Sequence, residues 1–390
     1  MSPSTTVVTG AEIAAAERWQ ALENHLTRWF ARPDLEGLRV VIAATVGHYW
    51  LAEKPVWLLV VGTPGSGKSE IAIGGLRSLP DTEPVSVLTP RAFLSAFDQG
   101  KNKYSLLHRS GPSRIWLMKD FGTLLSAHPH DRQQILANLR EIYDGELPRD
   151  TGASRKLLWQ GKITLIAATT PDYERYWAAV RSLGDRFVAV HWRSPPPQDA
   201  GRMAIGQLGE ERKIRSELRR LVVDWVRPAG LVEVPRQSTP ASDQLSALAE
   251  LIAWLRVRAH RENDARRTIE EVPEAETPSR IASVLWQIAR AHAAINRRPM
   301  VAIEDFALAR RVALDSIPRS TAAIIGAIPD GSETSRGEIL RMTGLPPATV
   351  TRRLEELVLM QVVDQQDRAE AIYRFGSRFA SLKATALGPP

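Results

Sequence analysis

The sequence predicts an α/β fold: a parallel sheet with helices on both faces, a helical region after it, and a small C-terminal module of helices and a β-hairpin. Three observations carry the prediction. Strand-length apolar runs alternate with helical stretches between residues 55 and 195, as βαβ units require. One of those runs, residues 55–61, leads into Gly62-Thr63-Pro64-Gly65-Ser66-Gly67-Lys68-Ser69 and then a helical start at residues 70–73. Beyond residue 198 the strand-like runs stop and apolar residues recur at helical spacing.

The elements follow in order. Residues 1 to about 10 carry no pattern and are expected to be disordered. Ala14, Trp19, Leu22, Leu26 and Phe30 recur at three- and four-residue intervals, and a second helix is expected over 35–51, so 1–54 reads as an N-terminal helical segment. The core, 55–195, has strands expected at 55–61, 115–118, 162–168 and 188–192. Ser194-Pro195-Pro196-Pro197 closes it as a rigid linker. Residues 196–317 read as a helical domain, interrupted by an irregular stretch at 227–242 and a charged one at 261–277. Residues 318–390 form the last module.

Bulk composition bounds the function classes. The 390 residues suffice for two or three domains, and 44% apolar with 24% charged content is ordinary for a globular chain. Absence of cysteine excludes disulfides, a thiol nucleophile and zinc–thiolate sites, and is compatible with the cytoplasm. There is no run of 18 apolar residues, so no membrane span is expected, and the N-terminus reads as neither a signal nor a transit peptide. A net charge of +7 suits a polyanionic partner such as nucleic acid, or simply a solvated basic surface.

The segment from Gly62 to Ser69 fits the phosphate-binding pattern G-x-x-x-x-G-K-[ST] without mismatch. Gly62, Gly65 and Gly67 let backbone N–H groups close around phosphate oxygens, and the following helix start adds partial positive charge. Lys68 is the point charge for the outer phosphates, and Ser69 offers a hydroxyl to Mg²⁺. ATP and Mg²⁺ are the expected cofactors. The strand at 115–118 ends in Lys119-Asp120-Phe121, where a carboxylate beside such a loop serves metal handling and water activation. The strand at 162–168 ends in Thr169-Thr170, whose hydroxyls could sense a terminal phosphate. Arg186, within Asp185-Arg186-Phe187, could reach phosphates of a neighbouring subunit.

In this order and spacing these pieces resemble the AAA+ ATPases, over roughly residues 35–317. The resemblance implies that Gly62–Ser69 is Walker A, that Asp120 lies in Walker B, that Thr170 is sensor 1 and that Arg186 is an arginine finger. Arg280, opening a helix after Glu276-Thr277-Pro278-Ser279, looks like the sensor 2 arginine. Residues 281–295, with Arg297-Arg298-Pro299-Met300-Val301 and Asp305, resemble the lid of minichromosome-maintenance-type helicases and of replication ATPases of phages and mobile elements. Between the second and third strands a helix at 132–143 precedes a Gly-containing turn between two short arms, which reads as a β-hairpin. It resembles a pre-sensor-1 hairpin that reaches into a DNA channel, with Arg149, Arg155 and Lys156 as phosphate contacts. The family's Walker B usually ends in Asp-Glu, and the pattern departs from it here: either Lys119 stands at the metal-binding position and Asp120 at the catalytic one, or Asp120 holds the metal, Phe121 follows in place of the second acid, and Glu141 or Asp144 is left to serve. The interval 89–114 contains no G-A-F-T-G-A loop, which argues against an enhancer-binding activator.

In the last module Ser335 can cap a helix through residue 342, Thr343-Gly344-Leu345 turns the chain, and Pro347 opens a second helix. Val350, Leu354 and Leu357 share one face of it, leaving Thr349, Arg352 and Arg353 exposed. Strands are expected at 362–363 and 371–375 around a turn at 365–367. This resembles a winged helix whose second helix enters a major groove. The module carries nine Lys+Arg against eight Asp+Glu, so protein docking is the alternative to DNA contact. The resulting expectation is an ATP-driven DNA motor, a helicase or replication ATPase. It would act as a homo-oligomeric ring, a hexamer, with ATP between subunits and replication or mobile-element proteins as partners. The alternatives are an ATP-switched DNA-binding regulator or loader, or a signalling or defence ATPase whose winged helix docks a protein.

Overall fold

The computed structural model describes residues 9–51, 54–95, 105–151, 155–176, 179–180, 183–184, 186–226, 239–261, 269–271, 274–367 and 370–387. The chain divides into two compact units, Met1–Arg236 with Gln287–Leu308, and Gln237–Trp286 with Ala309–Pro390.

The first unit is built on a five-stranded parallel sheet of β1 Trp57–Val61, β2 Thr82–Val85, β3 Ser113–Met118, β6 Lys162–Thr169 and β7 Phe187–His191, in the order β2-β3-β6-β1-β7. The four expected strands are all present. The fifth, β2, was not expected. It is four residues long and contains Pro84, which a ladder tolerates only at the sheet edge, and the edge is where β2 lies. Strand β1 is buried along its whole length, so it reads as a continuous apolar run rather than an alternating one. Trp57, Leu59 and Val61 join one apolar cluster with Ile135, Leu139 and Tyr143 of the helix Pro129–Asp144. The intervening Leu58 and Val60 are equally buried, so both sheet faces are covered.

The N-terminal helices belong to this unit rather than forming a segment of their own. Every residue from Gly37 to His48 of the helix Leu35–Trp50 is buried except Arg39. The first helix begins at Gly10, one residue earlier than expected, because Thr9 and Glu12 form a reciprocal capping box. Its Trp19 packs on Trp225 of the helix Glu211–Val226, ring centroids 4.6 Å apart, while the Arg39 guanidinium lies 4.1 Å over the Trp19 ring.

Strands β4 Glu146–Thr151 and β5 Arg155–Gln160 pair antiparallel from Glu146↔Gln160 to Thr151↔Arg155, forming the expected hairpin. Its tip, 152–154, and the side chains of Arg155 and Lys156 lie outside the described residues. Gly161 alone separates the hairpin from β6, and a Cβ there would meet the Pro112 carbonyl oxygen at 2.2 Å.

The expected single helical domain at 196–317 is divided. Helices Pro197–Gly206 and Glu211–Val226 belong to the first unit, and Thr239–Leu255 to the second. The boundary runs through helices Ser279–Ile295 and Ile303–Asp315, so apolar periodicity is continuous across it and marks no domain edge. Most of the irregular stretch at 227–242 and of the charged stretch at 261–277 lies outside the described residues.

The second unit holds the short antiparallel pair β8 His260–Arg261 and β9 Ile269–Glu271, and joins Thr239–Leu255 to the C-terminal module. Trp254 meets Phe379 of the helix Ser377–Leu387 edge-on at 5.9 Å. The module itself has helices Arg319–Gly326, Arg336–Thr343 and Pro347–Leu359 and a three-stranded sheet, β10 Thr334–Ser335, β12 Ala371–Phe375 and β11 Val363–Asp367, in that order. Ser335 and Glu338 form a capping box, and Gly344 ends the helix at a φ of 63°. Residues 365–367, expected as a turn, extend β11 instead: Gln365 pairs with Tyr373 and Asp367 with Ala371.

Candidate phosphate-binding site

The loop from Gly62 to Ser69 leaves the carboxyl end of β1, where ligands of open parallel sheets bind. Gly65 and Gly67 take φ values of 76° and 81°, a left-handed backbone that costs a residue with a Cβ about 1–2 kcal/mol. The loop is pinned from its neighbours. Gly62 N–H donates to the Thr169 carbonyl at the end of β6, 3.1 Å away. Trp192, just after β7, donates its indole N–H to the Ser66 carbonyl at 3.0 Å, and the hydroxyls of Thr63 and Ser194 lie 2.8 Å apart. Ser69 then opens a π-helical turn, Ser69–Ile73, continued by Gly74–Leu76.

Lys68 is buried and donates to the Thr63 carbonyl at 3.0 Å, with no ion pair among the described residues. Burial pushes its ammonium below the ordinary value, and the nearby Asp120 carboxylate partly offsets that. The buried Ser66 hydroxyl has no hydrogen-bond partner among the described residues. An orphan hydroxyl and an unpaired buried ammonium are costly unless an anionic, acceptor-rich ligand satisfies them.

Two cavities flank the loop. One, of about 190 Å³, is lined by Gly65 and Gly67 with Phe30, Pro33, Ile71 and Met203, an apolar slot of the kind that takes a flat heterocycle. The other, of about 330 Å³, is lined by Ser69, Glu70, Lys119, Arg77, Arg215 and Arg219. Within it Arg215 pairs with Glu70 at 2.7 Å and Arg219 donates to the Gly74 carbonyl at 3.2 Å. These arginines were missed in the sequence. They lie on a helix some 140 positions from Arg77, and helical spacing does not say which helix that face meets.

Asp120 stands at the carboxyl end of β3 as expected, but its oxygens are engaged. Oδ1 accepts from Gly122 N–H at 2.9 Å and Oδ2 from the Thr123 hydroxyl at 2.7 Å, which turns the carboxylate toward the start of the short helix Gly122–Leu125. Strand β6 lies between β1 and β3, so Thr169 and Thr170 end between the loop and Asp120. Mg²⁺, implied by the family resemblance, finds a poor set of donors here. Lys119 shares the cavity of the Ser69 hydroxyl and would face the cation with like charge.

Several sequence-predicted residues lie elsewhere. Arg186 precedes β7, and Phe187 is level with Trp57 at the start of β1. At about 3.3 Å per residue this puts Arg186 roughly 20 Å along the strands from its own phosphate loop. It is buried, donates to the Leu183 carbonyl at 2.6 Å, pairs with Asp144 and lies over the Tyr143 ring. The expected outward-reaching finger is therefore turned into its own subunit. Asp144 also binds Lys54 at 3.2 Å. Desolvation raises its pKa, but hydrogen bonds from Arg186 and Lys54 outweigh that and leave it below the ordinary value. Asp144 and Glu141 end a helix at the amino rim, so neither can supply the acid that the phosphate loop lacks.

Arg149 is tied by a 2.6 Å hydrogen bond to the Leu94 carbonyl rather than free for phosphates. Arg353, expected on an exposed face, is only 1% exposed. It donates to the carbonyls of Val257 at 2.8 Å and Leu255 at 3.0 Å and pairs with Glu356 at 2.6 Å, and burial lowers its pKa to about 10. Thr349 is half-buried and Arg352 exposed, as a surface contact requires. Arg280 belongs to the second unit, its guanidinium 4.0 Å from Glu276. No protein-family model matches the chain, and no curated protein matches it.

Proposed function

We propose that the chain is an ATP-binding ATPase of the AAA+ type that assembles as a ring and acts on DNA. One observation carries the reading: the loop Gly62–Ser69, with left-handed Gly65 and Gly67, a buried unpaired Lys68 and an orphan Ser66 hydroxyl, at the carboxyl end of a parallel strand. Phosphate oxygens would accept from Lys68, Ser66 and the loop N–H groups, and the base would enter the apolar slot beside Phe30 and Met203. Thr170, which follows β6 next to β1, would orient a water or meet the terminal phosphate. Arg186, remote from its own loop, would act only on a neighbouring subunit's phosphates, after release from Asp144.

The DNA part rests on the hairpin before β6 and on the C-terminal module. The latter's helix order and three-stranded sheet support a winged helix with Thr349 and Arg352 at its exposed face. The test is ATP binding and hydrolysis with and without single- and double-stranded DNA, for the wild type and Lys68→Ala. Loss of both activities in the variant, with DNA stimulation in the wild type, is expected. A Lys68→Ala protein that binds ATP normally would refute the reading.

The engaged Asp120 carboxylate favours a second reading, in which ATP binding switches assembly or DNA affinity and turnover is slow. ATP-dependent assembly without strand separation would select it over the motor.

A further inference from the structure

We infer that the nucleotide bound at Gly62–Ser69 is neutralised by protein cations, Lys119 foremost, so that binding needs no divalent metal. The inference rests on the phosphate-loop reading above and concerns the same site.

The argument is one of charge and position. The Ser69 hydroxyl lines a cavity of about 330 Å³ whose other polar walls are Lys119, Arg77, Arg215 and Arg219. The one acid lining it, Glu70, is already bound by Arg215 at 2.7 Å. Lys119 has no ion-pair partner among the described residues and is exposed to the cavity's solvent. Lys119 follows directly on β3 and lines the same cavity as Ser69, the last residue of the loop. A divalent cation at Ser69 would need a carboxylate or its water shell in that wall. Asp120 instead spends one oxygen on the Gly122 N–H and the other on the Thr123 hydroxyl, and it also lies near Lys68. Lys119 does what a bridging cation would do, bringing positive charge to the phosphate oxygens as a charge-assisted donor, while Arg215 and Arg219, held by Glu70 and the Gly74 carbonyl, add to the positive potential of the same wall. They do so permanently, since none of them dissociates under chelation.

The test is isothermal titration of the full chain with ATP, in chelator and in magnesium, for the wild type, Lys119→Met, Lys119→Asp and Lys68→Ala. Wild-type affinities in chelator and magnesium are expected to agree within about threefold. Lys119→Met is expected to lose about tenfold in chelator, the worth of one charge-assisted contact. Lys119→Asp is expected to lose more in chelator and to recover in magnesium, having gained a ligand where the ammonium stood. Wild-type binding that strengthens more than about tenfold with magnesium overturns the inference and leaves the phosphate-loop reading intact. So does an unchanged Lys119→Met in chelator. No ATP binding by the wild type in either condition overturns both.

Discussion

At the carboxyl rim of the five-stranded sheet, Lys68 and Lys119 have no ion-pair partner among the described residues, and the Ser66 hydroxyl has no hydrogen bond. At the amino rim, about 20 Å away along the strands, the charged side chains are paired, although the Arg186 Nε–H finds no acceptor among the described residues. Arg186 is held by Asp144 and the Leu183 carbonyl, and Asp144 by Lys54. The buried His48 ring sits between the hydroxyls of Thr164 at 3.0 Å and Ser113 at 2.9 Å. Lys162 donates to the carbonyls of Leu51 at 2.6 Å and His48 at 3.3 Å. Both rims contain basic side chains, but only one leaves them available. Charge held without a partner is costly unless a ligand meets it, which is what the proposed reading supplies at the carboxyl rim, and charge that closes on itself holds the fold. The second unit repeats the contrast between adjacent residues, Arg352 exposed and Arg353 buried against Leu255, Val257 and Glu356.

Substitutions that separate affinity from stability should break this comparison if it is wrong. The largest effect is expected at Arg353. Arg353→Met leaves two carbonyls without their donor and should cost about 3 kcal/mol of stability by denaturant titration. Arg352→Ala should stay within about 0.5 kcal/mol and weaken only a surface contact such as DNA. Equal stability losses for the two would remove the distinction.

Acid should act through the amino rim. His48 has its pKa lowered to about 4 by burial and by the nearby Lys162 charge. The unfolded chain takes up this proton below about pH 6.5, whereas the folded chain resists until about pH 4. The contribution is therefore complete above 6.5 and lost as pH falls, reaching about 3 kcal/mol at pH 4. Unfolding free energies of the wild type and His48→Gln, measured across that window, should diverge in slope, the variant being flatter.

Arg186→Ala should cost about 2 kcal/mol of stability, less than a fully buried pair because Asp144 is partly solvated, and leave the ATP affinity of the isolated subunit unchanged. An ATP affinity that falls in dilute monomer would place Arg186 at its own nucleotide and contradict the strand register. Arg352→Ala apart, the smallest effect is expected at Gly65, whose φ is 76° and where an added Cβ would meet open space. Gly65→Ala should cost about 1–2 kcal/mol, all of it backbone strain, with a matching shift in thermal midpoint.

How far the sequence could be read differs along the chain for a physical reason. Residues 62–69 form a local device: their geometry depends on glycines at set positions, a preceding strand and a following helix, all contiguous. The capping boxes at Thr9 and Ser335, the hairpin at 146–160 and the apolar face of Val350, Leu354 and Leu357 are local in the same sense. The partners of Arg186, Arg149 and Arg353 are not. Arg186 meets Asp144 across 42 positions, Arg149 meets Leu94 across 55, and Arg353 meets Leu255 across 98. From spacing alone each read as an exposed basic residue, because an arginine on a polar face and one reaching into a neighbouring carbonyl share the same local pattern.

The sequence by itself determined the α/β class, four of the five sheet strands, the glycine loop at 62–69, and two helices and two strands of the C-terminal module, because each is written in neighbouring residues. Only the tertiary structure decided the rest. It added the edge strand β2, divided the helical region between two units, closed Arg186 and Arg353 on buried partners, and gathered Lys119, Arg77, Arg215 and Arg219 beside Ser69. Whether a charge is spent or available depends on what packing brings within hydrogen-bonding distance, and residues far apart in the chain supply those partners.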